Sequence, residues 1–364
     1  AEILIECGKL RVGGAIVISG GFAEAGRGEL QQKLVEIASK YELPVIGPNC
    51  LGIYSPPYID TIFLSSRRFI KPGRGNIAFI SQSGGFMIDQ GMSKLAERDI
   101  GVSACISLGN KAVVDEAHVL EYFESDGRTK AMIFHLEGFN PGRGREFVRL
   151  AEQSSKPVVV YKAGKSEGAK KAVLSHTGAL SGNYRVASSV FKQHSIIEAR
   201  DECDISALAK VFSLGLRGIT RGDIAILTVS GGHGVVAADL CMEYGLNLVH
   251  LSEEEKLLLR TELNPSIRQI ASLGNPLDLT GSSRDSDFEA ALDFLLAKQE
   301  VEAVLLLILP YQESISSKIG LKLARIAKLH DKPVIAYLPR YRRYGRMVKA
   351  FEKSRIPAGH TVEE

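Results

Sequence analysis

The stretch FISQSGGFMIDQGMSKLAE, residues Phe79–Glu97, decides the fold, because an apolar strand, a tight turn and a helix pattern follow one another without a break. In a parallel sheet such a turn lies at the carboxyl edge, where ligands usually bind. Glycine lets the backbone approach a ligand, and the free N–H groups of the following helix favour an anion. Taken alone, the motif is equally typical of a plain strand–turn–helix with a serine N-cap.

The same arrangement recurs at ILTVSGGHGVVAADLCMEYG, residues Ile226–Gly245. Because the arrangement recurs at the same place in two similar segments, it favours anion binding at both turns. The two helix N-termini could then face each other across a single phosphate. The GxxxxGK[ST] motif of P-loops is missing from both turns, as is a GxGxxG fingerprint with its later acidic residue. His233 lies in the first turn of the second helix, where the positive end of the helix dipole disfavours an imidazolium. We therefore expect a partly exposed residue there rather than a catalytic one.

Short apolar runs alternate with amphipathic stretches through most of the chain, which is typical of an α/β protein with parallel sheets. Two flavodoxin-like units are expected at residues 73–218 and 219–364, after a piece of another α/β unit at residues 1–72. That piece shows two strands and one helix, with Leu30, Leu34, Ile37 and Ala38 on one helix face. It is too small for a stable parallel sheet, so we expect either that the chain is truncated at its N-terminus or that this piece borrows structure from elsewhere. The predicted strands are residues 13–19, 43–47, 76–81, 102–108, 131–136, 157–163, 224–230, 247–251, 301–309 and 332–338.

Composition excludes several classes of protein. The chain has 364 residues, of which 45% are hydrophobic and 24% charged, and its net charge of +3 is too small to indicate nucleic-acid binding. No apolar run is long enough for a membrane span, and the first residues do not resemble a signal peptide. Five scattered cysteines without a CxxC pair predict reduced thiols in a cytoplasmic protein, with no zinc site.

One histidine, His176, lies in the stretch AVLSHTGALSG, residues 172–182, inside a long segment with little regular pattern. Long loops in compact domains are often functional, and a neutral imidazole can attack phosphorus and form a covalent intermediate. A filler residue stays the alternative, whereas a metal ligand is disfavoured because no second ligand stands at suitable spacing. Glu137 directly follows a predicted strand, so it is either a solvated edge carboxylate or a group that orients the histidine ring.

Several runs together resemble the NDP-forming acyl-CoA synthetases, which include succinyl-CoA synthetase, and the similarity is greatest to the alpha type of ADP-forming acetyl-CoA synthetase. The matching runs cover most of the chain and are GPNCLGIYSP, PGRGNIAFISQSGGF, SLGNKAVVDEAHVLEYFESD, FHLEGF, KPVVVYKAGKSEGAKKAVLSHTGALSG and SLGNPLDLTG.

The resemblance implies an acid–thiol ligase that interconverts acyl-CoA, phosphate and ADP with carboxylic acid, CoA and ATP. The reaction passes through an acyl phosphate and a phosphohistidine. The implied ligands are CoA and phosphate, while ADP or GDP, ATP and Mg²⁺ belong to an ATP-grasp partner subunit or fused domain. A homo- or hetero-oligomer is expected, and residues 1–72 correspond to part of a Rossmann-like CoA-binding domain. The implied site residues are His176 with Glu137 for catalysis, Ser83, Gly84, Gly85, Gly231, Gly232 and Gly234 for phosphate, and Asn49, Cys50 and Asn110 for CoA or the acyl group.

Two other functions compete with this one. A module of the same fold that senses CoA or acyl-CoA without catalysis is disfavoured, because His176, Glu137 and both glycine turns are retained. An unrelated flavodoxin-like protein that binds a nucleotide or flavin is disfavoured by the missing fingerprints.

Overall fold

Helices and short strands alternate along the chain, as the hydrophobic pattern predicts. A computed structural model describes residues 1–65, 67–166, 168–169, 183–216, 218–339 and 344–364. Contacts divide the chain into two units, Ala1–Ser213 and Leu214–Glu364. The predicted domain limits after residues 72 and 218 stay predictions. Within the described ranges, no helix combines the length and apolar character needed to cross a bilayer.

The strands are numbered in chain order. They are β1 Ala15–Ile16, β2 Val45–Ile46, β3 Ile53–Ser55, β4 Ile59–Asp60, β5 Arg74–Ser81, β6 Val102–Ser107, β7 Ala131–Leu136, β8 Val158–Lys162, β9 Ile197–Glu198, β10 Asp223–Thr228, β11 Asn247–Leu248, β12 Leu277–Asp278, β13 Ala303–Leu307, β14 Val334–Tyr337 and β15 Ala358–Gly359.

The helices are numbered in the same way. They are α1 Glu2–Lys9, α2 Gly28–Lys40, α3 Gly84–Phe86, α4 Leu95–Glu97, α5 Glu116–Ser125, α6 Arg143–Gln153, α7 Tyr184–Gln193, α8 Glu202–Ser213, α9 Gly231–Glu243, α10 Glu253–Glu262, α11 Asp285–Ala297, α12 Ile319–His330 and α13 Gly345–Lys353. A 3₁₀ turn covers Ala23–Ala25, and a π-helix covers Met87–Lys94 between α3 and α4.

The first unit contains a seven-stranded sheet in the order β4-β3-β6-β5-β7-β8-β9. From β5 onward its strands are parallel and follow the 2-1-3-4-5 order of flavodoxin-like folds. Neighbouring residues of β5 point to opposite faces, so Ala78 and Ile80 enter one core while Ile77 and Phe79 enter the other. Because both faces are covered, the central strands are largely apolar, as in the run of residues 77–80. The topological switch point lies between β5 and β7.

The N-terminal part of this unit differs from its predicted form. β1 and β2 pair in parallel, and α1, which the pattern did not predict, packs beside α2. The hairpin β3–β4 joins the large sheet through antiparallel pairing of β3 with β6. On α2, Leu34, Ile37 and Ala38 are buried as predicted. Leu30 stands on the predicted face but is 46% exposed in the first turn of the helix, at the margin of that core.

The second unit repeats the same strand order. Its sheet runs β11-β10-β13-β14-β15 with neighbouring strands parallel, and β12 pairs in parallel with the end of β10. This is again the 2-1-3-4-5 order, with the switch point between β10 and β13. The predicted α/β fold class with two flavodoxin-like sheets is therefore confirmed.

The helix after the first glycine turn is wider than the pattern predicted. Its middle part, Met87–Lys94, is π-helical, so hydrogen bonds join residues five apart. Met87 and Met92 are five apart and both fully buried. Gly91 lies against the ring of Phe79, where an added Cβ would come within 2.3 Å of a ring carbon. This close contact between helix and strand needs a glycine.

Candidate functional site

The first glycine turn follows β5 at the switch point of its sheet. The Ser81 hydroxyl donates to the carbonyl of Ser83 at 2.7 Å and accepts from the Ser83 N–H at 3.1 Å. The Ser83 hydroxyl in turn accepts from the N–H of Phe86 at 3.4 Å, which caps the helix. Ser81 also contacts the ring of His135 at 2.9 Å. These contacts hold the turn in place at the carboxyl edge of the sheet.

The two glycines of this turn have different surroundings. A Cβ added to Gly84 would lie 2.5 Å from Cγ of Leu51, whereas a Cβ on Gly85 would meet no atom within 4 Å. Gly84 is therefore required by packing inside the protein. Gly85 faces open space, and the lack of a side chain there leaves room for a ligand beside the helix N-terminus.

This difference gives a matched pair of variants. We expect Gly84→Ala to lower the free energy of unfolding by about 1–3 kcal/mol, because Leu51 must move. Gly85→Ala should change that free energy by less than about 0.5 kcal/mol. If the turn holds a phosphoryl group, as the resemblance implies, the same substitution should lower the rate of phosphoryl transfer by about tenfold or more. Urea unfolding and single-turnover phosphorylation measure the two effects. A Gly85→Ala protein with the wild-type transfer rate would show that this turn holds no phosphoryl group.

The second glycine turn repeats the hydroxyl contacts of the first. The Thr228 hydroxyl donates to the carbonyl of Ser230 at 3.1 Å and accepts from its N–H at 3.0 Å. A Cβ on Gly231 would lie 3.3 Å from a carboxylate oxygen of Asp278, and one on Gly234 would lie 3.1 Å from Pro276. Gly232, like Gly85, would meet nothing within 4 Å. Each unit thus presents one packed glycine turn with an open glycine at a helix start.

His233 is held within its own unit. Its Nδ1 lies 2.9 Å from the Ser230 hydroxyl, and its Nε2 lies 3.4 Å from the hydroxyl of Tyr337. The two rings also stack with centroids 5.3 Å apart. A partly buried ring with both nitrogens in contact agrees with the expected structural role.

Glu137 follows β7 on the other side of the same switch point. Glu137 is 6% exposed, so it is buried and is not a solvated edge carboxylate. Its N–H donates to Oε1 of Gln82 at 2.5 Å, and Gln82 is the residue before Ser83. The structure thus ties Glu137 to the first glycine turn. Sequence reasoning missed Gln82, although a polar residue between a buried strand and a glycine turn was a usable signal.

His176 lies outside the described residues, as does the rest of its motif. Its predicted role therefore rests on the sequence and on the resemblance.

Asn49 and Asn110 are 61 positions apart and in direct contact, with an amide hydrogen bond of 3.3 Å. Asn49 has a φ of +59°, a left-handed conformation that asparagine tolerates better than most residues. The Asn110 amide also donates to Glu24 at 2.5 Å and to Gln31 at 2.9 Å. Glu24 and Gln31 are not among the predicted site residues, although Glu24 stands in the glycine-rich run after β1.

The carboxylate of Glu24 accepts from three donors. Besides Asn110, the backbone N–H groups of Gly21 and Phe22 donate to it at 2.5 and 3.1 Å. Burial alone would raise the pKa of Glu24, but these hydrogen bonds outweigh it and lower the pKa below its ordinary value. The carboxylate is therefore ionised at neutral pH and forms one polar cluster with Asn110.

Cys50 is buried, and its thiol points to the carbonyl of Val17 at 3.4 Å. Burial raises the pKa of this thiol to about 11, so it is protonated at neutral pH. A protonated, packed thiol supports the neighbouring loop and is a poor nucleophile.

Metal ligands do not cluster in the part of the chain that the structure describes. Within those ranges, no group of three or more His, Cys, Asp or Glu residues could hold an ion.

Comparisons with known proteins agree with this architecture. The model of the succinyl-CoA ligase like flavodoxin domain matches residues 74–212, and the ligase-CoA domain model matches residues 224–341. A solved dinucleotide-forming acetyl-coenzyme A synthetase 1 of Ca. Korarchaeum cryptofilum, in complex with phosphate and ADP, superposes with a TM-score of 0.88. It is 31% identical, and the match covers 100% of this chain and 77% of that one. The chain belongs to the NDP-forming acyl-CoA synthetase family.

Two curated relatives place the chain within the acyl-CoA synthetases. Acetate–CoA ligase [ADP-forming] I of Archaeoglobus fulgidus is 38% identical over 84% of this chain and 43% of its own length. Acetate–CoA ligase [ADP-forming] II subunit alpha of Pyrococcus furiosus is 36% identical over 84% of this chain and 65% of its own length. The chain thus spans about half the length of these synthetases.

Proposed function

We propose that this chain is the CoA- and phosphate-binding part of an ADP-forming acyl-CoA synthetase. The whole enzyme would interconvert acyl-CoA, phosphate and ADP with carboxylic acid, CoA and ATP. The relatives named as ADP-forming acetate–CoA ligases support this reaction class.

One observation carries the proposal. The turn Ser83–Gly85 and Glu137 follow the two strands that flank the switch point of a flavodoxin-ordered sheet, and Gln82 connects them. Ligands of such sheets bind at this place. An open helix N-terminus beside a buried carboxylate suits a histidine that becomes phosphorylated, since one stabilises the phosphoryl group and the other the ring.

The proposed reaction has three steps. Phosphate attacks the acyl-CoA carbonyl and releases CoA, giving an acyl phosphate. A ring nitrogen of His176 then takes the phosphoryl group and releases the carboxylate, while Glu137 holds the ring in the reactive tautomer. ADP finally takes the phosphoryl group and leaves as ATP.

The remaining residues have supporting roles in this proposal. Ser83, Gly84 and Gly85 bind the phosphoryl group with their backbone, and the turn with Gly231, Gly232 and Gly234 is a second phosphate-binding turn, in the second unit. Asn49 and Asn110 line the CoA or acyl pocket, where Cys50 supports the loop. An ATP-grasp subunit or domain supplies the sites for nucleotide and Mg²⁺, and we expect the assembly in the cytoplasm.

Turnover of an acid panel tests the proposal. The chain, combined with its ATP-grasp partner, is incubated with ATP, Mg²⁺, CoA and one of several short carboxylic acids. We expect ADP, phosphate and the acyl-CoA to form in equal amounts with at least one acid. CoA binding without any turnover across the panel would contradict the proposal and favour a CoA-sensing module.

A further inference from the structure

Three side chains from neighbouring strands meet at the backbone of two residues that follow a fourth strand. Gln82 follows β5, Lys111 follows β6 after a short loop, and Lys162 is the last residue of β8. All three reach the peptide units of Glu137 and Gly138, which follow β7. In the sheet these strands stand side by side in the order β6-β5-β7-β8.

Every backbone polar group of Glu137 and Gly138 has a side-chain partner. Oε1 of Gln82 accepts from both N–H groups, at 2.5 Å from Glu137 and 3.0 Å from Gly138. Nζ of Lys162 donates to the Glu137 carbonyl at 2.7 Å, and Nζ of Lys111 donates to the Gly138 carbonyl at 2.6 Å. We call these three side chains the Glu137 clamp.

The clamp consists of polar side chains whose burial costs free energy. Gln82 is 2% exposed, and Lys111 and Lys162 are each 1% exposed, although lysine is rarely buried so fully. Lys111 needs a buried partner of its own, the carboxylate of Glu116 at 2.8 Å. Backbone groups at a strand end are ordinarily satisfied by other backbone groups or by water. Fixing the backbone of Glu137 and Gly138 with two buried ammonium groups indicates that the position of this backbone matters.

The clamp acts on the backbone of Glu137. It fixes where the side chain of Glu137 begins, through the glycine turn after β5, through the end of β8 and through the loop after β6. A carboxylate that must meet a reacting ring at one place benefits from such support, because an error of 1 Å can cost about 100-fold in rate.

We propose that Gln82, Lys111 and Lys162 are positioning residues for Glu137 in phosphoryl transfer. This inference rests on the proposed function, since it assigns these residues to the step in which Glu137 takes part.

Lysine-to-methionine variants test the clamp in the full assembly of chain and partner. Lys162→Met removes one donor, and Lys111→Met is combined with Glu116→Gln so that no buried charge is left alone. Lys210→Met is the matched control, because Lys210 is also buried and also donates to a backbone carbonyl, that of Arg98, away from Glu137. Single-turnover labelling from ATP, the KM for ATP and thermal unfolding are measured for each protein.

We expect both clamp variants to lose about 10- to 100-fold in the single-turnover rate, with the KM for ATP within about twofold of wild type. Lys210→Met should keep the wild-type rate even if its melting temperature falls as much as those of the clamp variants. If all variants show the same single-turnover rate when compared at the same fraction of folded protein, the positioning role of the clamp is refuted. The proposed function would be unaffected by that result. Wild-type protein that takes no label would overturn both.

Discussion

The variant His176→Asn is expected to take no phosphoryl label from ATP and to lose at least about three orders of magnitude in turnover. Asparagine is similar in size to histidine but offers no ring nitrogen that can attack phosphorus. The assembly of chain and partner is incubated with γ-labelled ATP and Mg²⁺, and the label on this chain is followed. A phosphohistidine should be labile in acid and stable in base.

His233→Ala is the matched control for this experiment. Its ring contacts Ser230 and Tyr337, and the proposed reaction gives it no step. The control should keep the label, so that loss in His176→Asn is specific to one ring. Label that survives in His176→Asn would remove the basis of the proposed phosphohistidine.

The second large effect is expected for Glu137→Gln, which should lower the rate of label formation by about 100- to 10,000-fold. The amide keeps the size of the side chain but cannot stabilise positive charge on the reacting ring. The backbone of Glu137 is held by Gln82 and Lys162, so the substitution leaves those contacts in place. Single-turnover labelling and urea unfolding together separate loss of charge from loss of fold.

Glu124→Gln is a suitable control for the same measurement. Glu124 is partly buried and accepts hydrogen bonds from Ser154 and Ser155, which precede β8 and therefore lie at the opposite edge of the sheet. Its label formation should match that of wild type. If Glu137→Gln is labelled as fast as Glu124→Gln, Glu137 has no part in the transfer.

Most of the sheet could be predicted from the sequence. The strand Ala131–Leu136 has the predicted bounds, and β5, β6 and β8 begin and end within two residues of theirs. Long apolar runs between turns are a strong signal because both faces of a parallel sheet are buried. The carboxyl-edge rule likewise predicts that Ser83 and Glu137 lie at the same edge of the sheet.

Short edge elements could not be predicted in the same way. The hairpin β3–β4 has strands of three and two residues around two prolines, which is too short for a period to show. The exposure of Leu30 depends on how far the small N-terminal core extends, and helix periodicity does not carry that information.

The buried lysines were missed for a different reason. Lys111 stands in a predicted loop and Lys162 near the end of a predicted strand, places where a lysine is ordinarily solvated. Their partners, Gly138, Glu116 and Glu137, are 27, 5 and 25 positions away. Only the packing of four strands at one edge shows that these ammonium groups are enclosed.

The π-helical segment Met87–Lys94 has a consequence for how relatives of this chain are aligned. A five-residue spacing puts Met87 and Met92 on the same buried face, and in an ordinary α-helix a four-residue spacing would do the same. A relative with one residue fewer in this segment can therefore keep both core contacts by forming an α-helix. An alignment gap of one residue in this segment would then correspond to a change from π-helix to α-helix. The residues on either side of the gap would remain structurally equivalent.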